Sequence, residues 1–215
     1  MNKNIKRYIL IVLAFMIVGT GCAFTLKANV GIGAWDALAK TTSDIIHIEV
    51  GTMGMAFNCL CVIGQIIILR KNFKLIQLLQ IPLSVLFGTV INCGLSDLLV
   101  FPFDSFIGGV ALYLVASTVC AFGVSIVMLL DEVTFPLEGF CVAITTIVPM
   151  KFHITRQLAD VFSVIAIVIL TLVFSVPWSI GIGTIIGVLI FGPSLGIFMK
   201  LLKPVLKRHN LLNYE

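Results

Sequence analysis

Six long apolar stretches, joined by short polar connections, decide what this chain can fold into. They run roughly over 7–26, 52–69, 75–99, 106–130, 158–176 and 180–200. Hydrocarbon offers backbone N–H and C=O groups no water, so an apolar run of about 20 residues crosses a membrane as an α-helix, which satisfies them internally. Composition points the same way. The chain is 60% hydrophobic and 11% charged, whereas soluble domains are about half apolar and about a quarter charged. The sequence predicts an all-α polytopic membrane protein, one membrane domain over 1–215, with the lipid bilayer as its first partner. M-N-K-N-I-K-R at the N-terminus has the look of a signal peptide, but no A-x-A site follows and the apolar run continues to Leu26. An uncleaved first span is expected.

The basic residues orient these spans. Lys3, Lys6 and Arg7 precede the first, and Arg70, Lys71 and Lys74 join the second to the third. Lys151 and Arg156 precede the fifth, and Lys200, Lys203, Lys207 and Arg208 follow the sixth. With the N-terminus in the cytoplasm, all of them fall on the cytoplasmic side, as the positive-inside rule asks. Lys27 and Lys40 fall outside with Asp44, Glu49 and Asp104. The expected topology is N-in, C-in. Because the Lys and Arg residues sit at span ends rather than in a basic stripe, the net charge of +4 does not point to nucleic acid.

Two segments, about 33–47 and 135–149, are apolar but too short for ordinary spans. Each follows the first span of one half of the chain, and each carries an acid. Written without a gap, 21–38 lies opposite 123–140, so that Gly21 meets Gly123, Asn29 meets Asp131 and Asp36 meets Glu138. Farther on, Asn58 falls opposite Asp160, and F-G-T-V-I (87–91) matches I-G-T-I-I (182–186). Three spans per half is an odd number, so the second half enters the membrane in the opposite sense. The pattern predicts an inverted repeat, 1–104 and 105–215, with re-entrant or interfacial short helices. Short interrupted segments at matching places in such repeats point to a midplane binding site.

As helix starts, both segments place an acid in the first turn, where it favours the positive end of the helix dipole. That accounts for Asp36 and Glu138 structurally. The functional account is a pocket carboxylate that binds a cation or exchanges a proton, since acids at membrane depth are costly and usually serve a pathway. Trp35 suits either a membrane interface or stacking on a solute, and Trp178 suits an interface. Asn58, Gln65 and Asn92 suit hydrogen bonds between helices. Arg156 and Asp160 lie four apart and suit a local ion pair or a substrate contact. The glycines of 181–187 suit close helix approach. Trp35, Asp36, Asn58, Glu138, Arg156 and Asp160 are the candidate substrate-binding residues. Asp97, Asp131 and Glu132 mark span ends.

No enzyme, cofactor or metal motif occurs. The three histidines are scattered, H-E-x-x-H and G-x-S-x-G are missing, and G-x-G before Asp36 has neither the strand nor the third glycine of a dinucleotide site. The six cysteines contain no C-x-x-C pair and read as small packing residues.

G-I-G-A-W-D-A-L (31–38), G-T-M-G (51–54), A-F-G-V-S-I (121–126), F-P-L-E-G (135–139), the Arg156–Asp160 segment and the glycine-rich last span resemble the YczE/YitT-like bacterial integral membrane proteins. The resemblance covers most of the chain and implies a polytopic protein of a bacterial cytoplasmic membrane. That family has proline just before the Trp-Asp pair. Here Ala34 stands in that place, and Pro136 keeps the proline in the second half. The leading functional expectation is a small-solute transporter, or a transporter subunit, with its site between the two halves. Two other classes fit the same sequence: a non-transporting accessory or scaffold protein, working as a homo-oligomer or beside a membrane partner, and the substrate-binding subunit of a vitamin-uptake complex.

Overall fold

The computed structural model describes residues 3–98 and 105–212, and among these there is no strand. Eight α-helices follow in order: α1 (Lys3–Lys27), α2 (Ala34–Ile46), α3 (Val50–Leu69), α4 (Gln80–Cys93), α5 (Phe106–Leu130), α6 (Pro136–Thr145), α7 (Phe152–Phe174) and α8 (Ile182–Arg208). Asp104 lies outside the described residues, as does the side chain of Asp97. Six helices, all but α2 and α6, are long and apolar enough to cross a membrane. The protein is a polytopic all-α membrane protein. α2 has 13 residues and α6 has 10. At 1.5 Å per residue they reach about 20 Å and 15 Å, short of a hydrocarbon core about 30 Å thick.

Three spans differ from their sequence boundaries by five residues or more. The third begins as a 3-10 segment, Leu75–Leu79, before α4, because Gln77 and Gln80 turn towards residues 132–134. The fifth starts at Phe152, since Arg156 and Asp160 find partners within the protein instead of staying in water. The sixth runs through Pro193 and Pro204 to the basic tail at Arg208.

α1 and α5 form the centre and run antiparallel. Arg7, near the start of α1, hydrogen-bonds the Leu130 carbonyl at the far end of α5 and pairs with Glu132. The helices meet at glycines. A Cβ on Gly21 would lie 3.1 Å from the Ala116 carbonyl and 2.5 Å from Cys120 Sγ, and one on Gly123 would lie 3.1 Å from the Ala14 carbonyl and 2.6 Å from Val18. Each of these residues has its counterpart 102 positions away, the separation of the Val18–Cys120 contact itself. Ile11, Phe15, Val124, Val127 and Leu130 fill the surrounding core.

The remaining helices pair off in the same sense. α1 packs on α4 as α5 does on α8; α2 packs on α7 as α6 does on α3; and α2 touches α3 as α6 touches α7. One relation breaks the correspondence, because α3 packs broadly on α4 while α7 and α8 share no comparable face. The glycines of F-G-T-V-I and I-G-T-I-I are not equivalent either. Gly88 lies against Gly51 and Met55 of α3, whereas Gly183 lies against the Val30–Gly31 backbone.

Candidate functional site

The first short helix is aimed by the loop before it. Gly31 has φ +99°, and a Cβ there would lie 2.5 Å from the Gly181 nitrogen. Only glycine suits both that backbone conformation and that approach. Gly183 N–H donates to the Val30 carbonyl at 2.6 Å, and Thr184 Oγ1 donates to the Ile32 carbonyl at 2.7 Å. Gly181 and Gly183 therefore receive this loop, while Gly187 lies against Tyr113 of α5, a helix approach as the sequence suggests. α2 then starts at Ala34 with Asp36 in its first turn.

The second short helix is held by glutamines. Gln65 Nε2 donates to the Pro136 carbonyl at 3.0 Å and to Gln80 Oε1 at 2.9 Å. Gln80 in turn donates to Gln77 Oε1, and Gln77 donates to the Glu132 carbonyl at 3.1 Å. Pro136 occupies the first helical position and Glu138 the first turn. Gln77 and Gln80 escaped the sequence reading because nothing local distinguishes them. Their partners in the 132–134 segment lie more than 50 residues away.

The two first turns bring the acids to one region. Arg156 Nε donates to Glu138 Oε1 at 3.4 Å, and its Nη1 donates to Asp160 Oδ1. All three side chains keep 25–30% of their surface accessible, so the rest of the protein covers them only in part. Asp36 lies 4.0 Å from Cys22 Sγ and has no ion-pair partner among the described residues. It lies outside the six long helices. Burial pushes its carboxyl up to about 6; the Arg156 guanidinium pulls it down, and the charges of Glu138 and Asp160 push it up. Three carboxylates share a single guanidinium, a formal charge of −2 when all are ionised. Such a region attracts cations and protons and repels anions.

Trp35 is partly buried and packs against other helices. Its ring lies 5.7 Å from that of Phe57, between the apolar cluster of Ile32, Leu38 and Ile167 and that of Cys61, Leu137 and Cys141. Trp178, by contrast, is exposed. Gln65 and Asn92 do bond across helices, Asn92 Oδ1 accepting from Gly51 N–H at 2.7 Å. Asn58 does not: it is 9% exposed and makes no hydrogen bond among the described residues. The structure thus gathers Trp35, Asp36, Glu138, Arg156 and Asp160 around the starts of α2 and α6, with Asn58 on the adjoining face of α3. Among the described residues no group of three His, Cys, Asp or Glu side chains is placed to hold a metal ion. Four of the six free cysteines are buried, as packing residues are.

No curated protein and no solved structure matches this chain. A family model does, over residues 5–200, and the chain belongs to that family, DUF6198, a family of unknown function.

Proposed function

We propose that this protein is a small-solute membrane transporter, or the membrane subunit of one, with its site between two inverted halves. The observation that carries the proposal is the charge cluster where α2, α6 and α7 meet: three carboxylates and one guanidinium, partly accessible, inside a helical membrane protein. Groups of this kind are expensive at membrane depth and mark solute or proton paths. The matched glycine crossing of α1 and α5 supports the inverted repeat, an architecture that recurs in secondary transporters with midplane sites. The likeness to YczE/YitT-like proteins supports placement in a bacterial cytoplasmic membrane.

The test is uptake by proteoliposomes containing the purified protein, screened against cationic, neutral and anionic metabolites with and without a proton gradient. Asp36→Asn and Glu138→Gln should abolish uptake while leaving expression and detergent stability intact. Uptake at the unaltered rate in both variants would sink the site assignment. An accessory role keeps one observation in its favour: α8 rests on α5 and leaves Ile185, Leu189 and Ile197 exposed, a face for a second copy or a partner helix. Stoichiometric crosslinking through α8, with no uptake of any solute, would favour that reading.

A further inference from the structure

The two halves differ in what their acids meet. Under the shift of 102 residues, Glu138 corresponds to Asp36. Glu138 accepts from Arg156. Asp36 has no ion pair among the described residues and meets a thiol instead. Cys22 Sγ donates to Asp36 Oδ2 at 4.0 Å and faces Cys120 Sγ at 3.9 Å. Cys120 Sγ donates in turn to the Val18 carbonyl at 3.6 Å. Both thiols are buried. A chain of contacts thus runs from the first turn of α2, through α1, to α5.

Packing does not require sulfur here, and the other half supplies the comparison. The counterparts of Cys22 and Cys120 are Val124 and Val18, both buried in the same core. Val18 Cγ2 lies 2.6 Å from where a Gly123 Cβ would stand, and Cys120 Sγ lies 2.5 Å from where a Gly21 Cβ would stand. Valine fills the crossing on the side whose acid has a guanidinium, and sulfur fills it on the side whose acid has none. A disulfide does not account for the pair. Its bond is about 2.05 Å long, and these sulfurs stand 3.9 Å apart. That separation suits one ion bonded to both, since thiolate–metal bonds run to about 2.3 Å, as for zinc. Each thiol has its acceptor elsewhere, so the facing sulfurs are left as a pair of electron donors. Among the described residues no third His, Cys, Asp or Glu completes a metal set. Zinc asks for three or four protein ligands. The ions that accept two sulfurs are soft and monovalent.

We infer that Cys22 and Cys120 bind a soft monovalent cation, Cu(I) or Ag(I), at the α1–α5 crossing, as cargo of the proposed transporter. The inference rests on the transporter reading and names its substrate class. The ion replaces the proton on Cys22 Sγ, and that proton passes to Asp36 Oδ2. Cys120 gives a sulfur lone pair and keeps its own proton. Charge balances: a cation and a carboxylate become a metal thiolate and a carboxylic acid. No atom changes oxidation state. The negative surplus of the neighbouring acids draws the cation to the crossing.

The test is calorimetry of the reduced, detergent-purified protein with Ag(I), and anaerobic competition for Cu(I) against a chromophoric chelator. A chain carrying Cys59→Ala, Cys61→Ala, Cys93→Ala and Cys141→Ala keeps only the two thiols of the crossing. It should hold one ion per chain, which neither zinc nor sodium displaces. Adding Cys22→Ala or Cys120→Ala should abolish binding. Asp36→Asn should weaken it by about 10- to 100-fold, the usual loss when a carboxylate behind a metal ligand is removed. Should the four-alanine chain fail to fold, Cys22→Ala and Cys120→Ala are made singly in the native chain, where each should lower the number of ions held against the chelator by one. Binding that is equal with and without Cys22 and Cys120, or that zinc displaces, overturns the inference. Uptake of some other solute by a protein that holds no Ag(I) at these thiols would uphold transport and remove this site. Ag(I) held by the two thiols, with no uptake of any solute, would do the reverse.

Discussion

At the scale of single residues, the site turns on how one guanidinium is shared. Arg156 holds Glu138 and Asp160 together, so its removal leaves two carboxylates facing each other. Arg156→Gln should lower stability by about 1–3 kcal/mol, less than a fully buried pair would lose because all three groups are partly accessible. Adding Glu138→Gln should restore part of that loss, measured as a double-variant cycle of thermal unfolding in detergent. Asp36 makes the opposite prediction. Its folded pKa is raised from 3.8 to about 6, so between those values the folded state holds a proton that the unfolded state has released. Stability therefore falls as pH rises through that window, and Asp36→Asn should raise Tm at pH values above about 6 while flattening the profile. Cys22 and Cys120, Tyr113, Glu138, Arg156 and Asp160 face this carboxyl from α1, α5, α6 and α7, so the variant is needed to assign the titration. Asp36 and Glu138 could be singled out by reading the chain. The sharing of Arg156 could be read only for the partner four residues away, since Glu138 comes from another helix.

At the scale of elements, glycine sets how closely helices and loops approach. Gly21 and Gly123 make the α1–α5 crossing from opposite sides with like clearances. Alanine at either place should cost a similar amount, about 1–3 kcal/mol for a methyl forced into a packed contact, and thermal unfolding of the two variants compares them directly. A large loss at one glycine and none at the other would break the equivalence of the halves. Gly31→Ala should be worse than either, since a positive φ adds backbone strain to the clash with Gly181. The six spans were legible because length and hydropathy belong to contiguous residues. The early start of α7 and the 3-10 entry to α4 were not, because both depend on polar partners contributed by the residues around α6.

At the scale of the whole molecule, the antiparallel α1–α5 pair and the matched packing of the short helices place the starts of α2 and α6 near one another. If the topology is N-in and C-in, single cysteines at Asn72 and Asn210 in a background lacking native cysteines should react with an impermeant reagent only from the cytoplasmic side. A cysteine at Trp178 should react only from outside. Labelling of Asn72 and Trp178 from the same side would exclude the arrangement. The sequence by itself determined the class of the protein, the number of spans and the place of two short acidic segments, because each is written in consecutive residues and in the water-to-lipid transfer of their side chains. Only the tertiary structure decided that Trp35 packs between two apolar clusters, that Asn58 makes no hydrogen bond among the described residues, and that three glutamines hold α6. Those are matters of which distant backbones approach and which stay apart, and no local pattern encodes a distance.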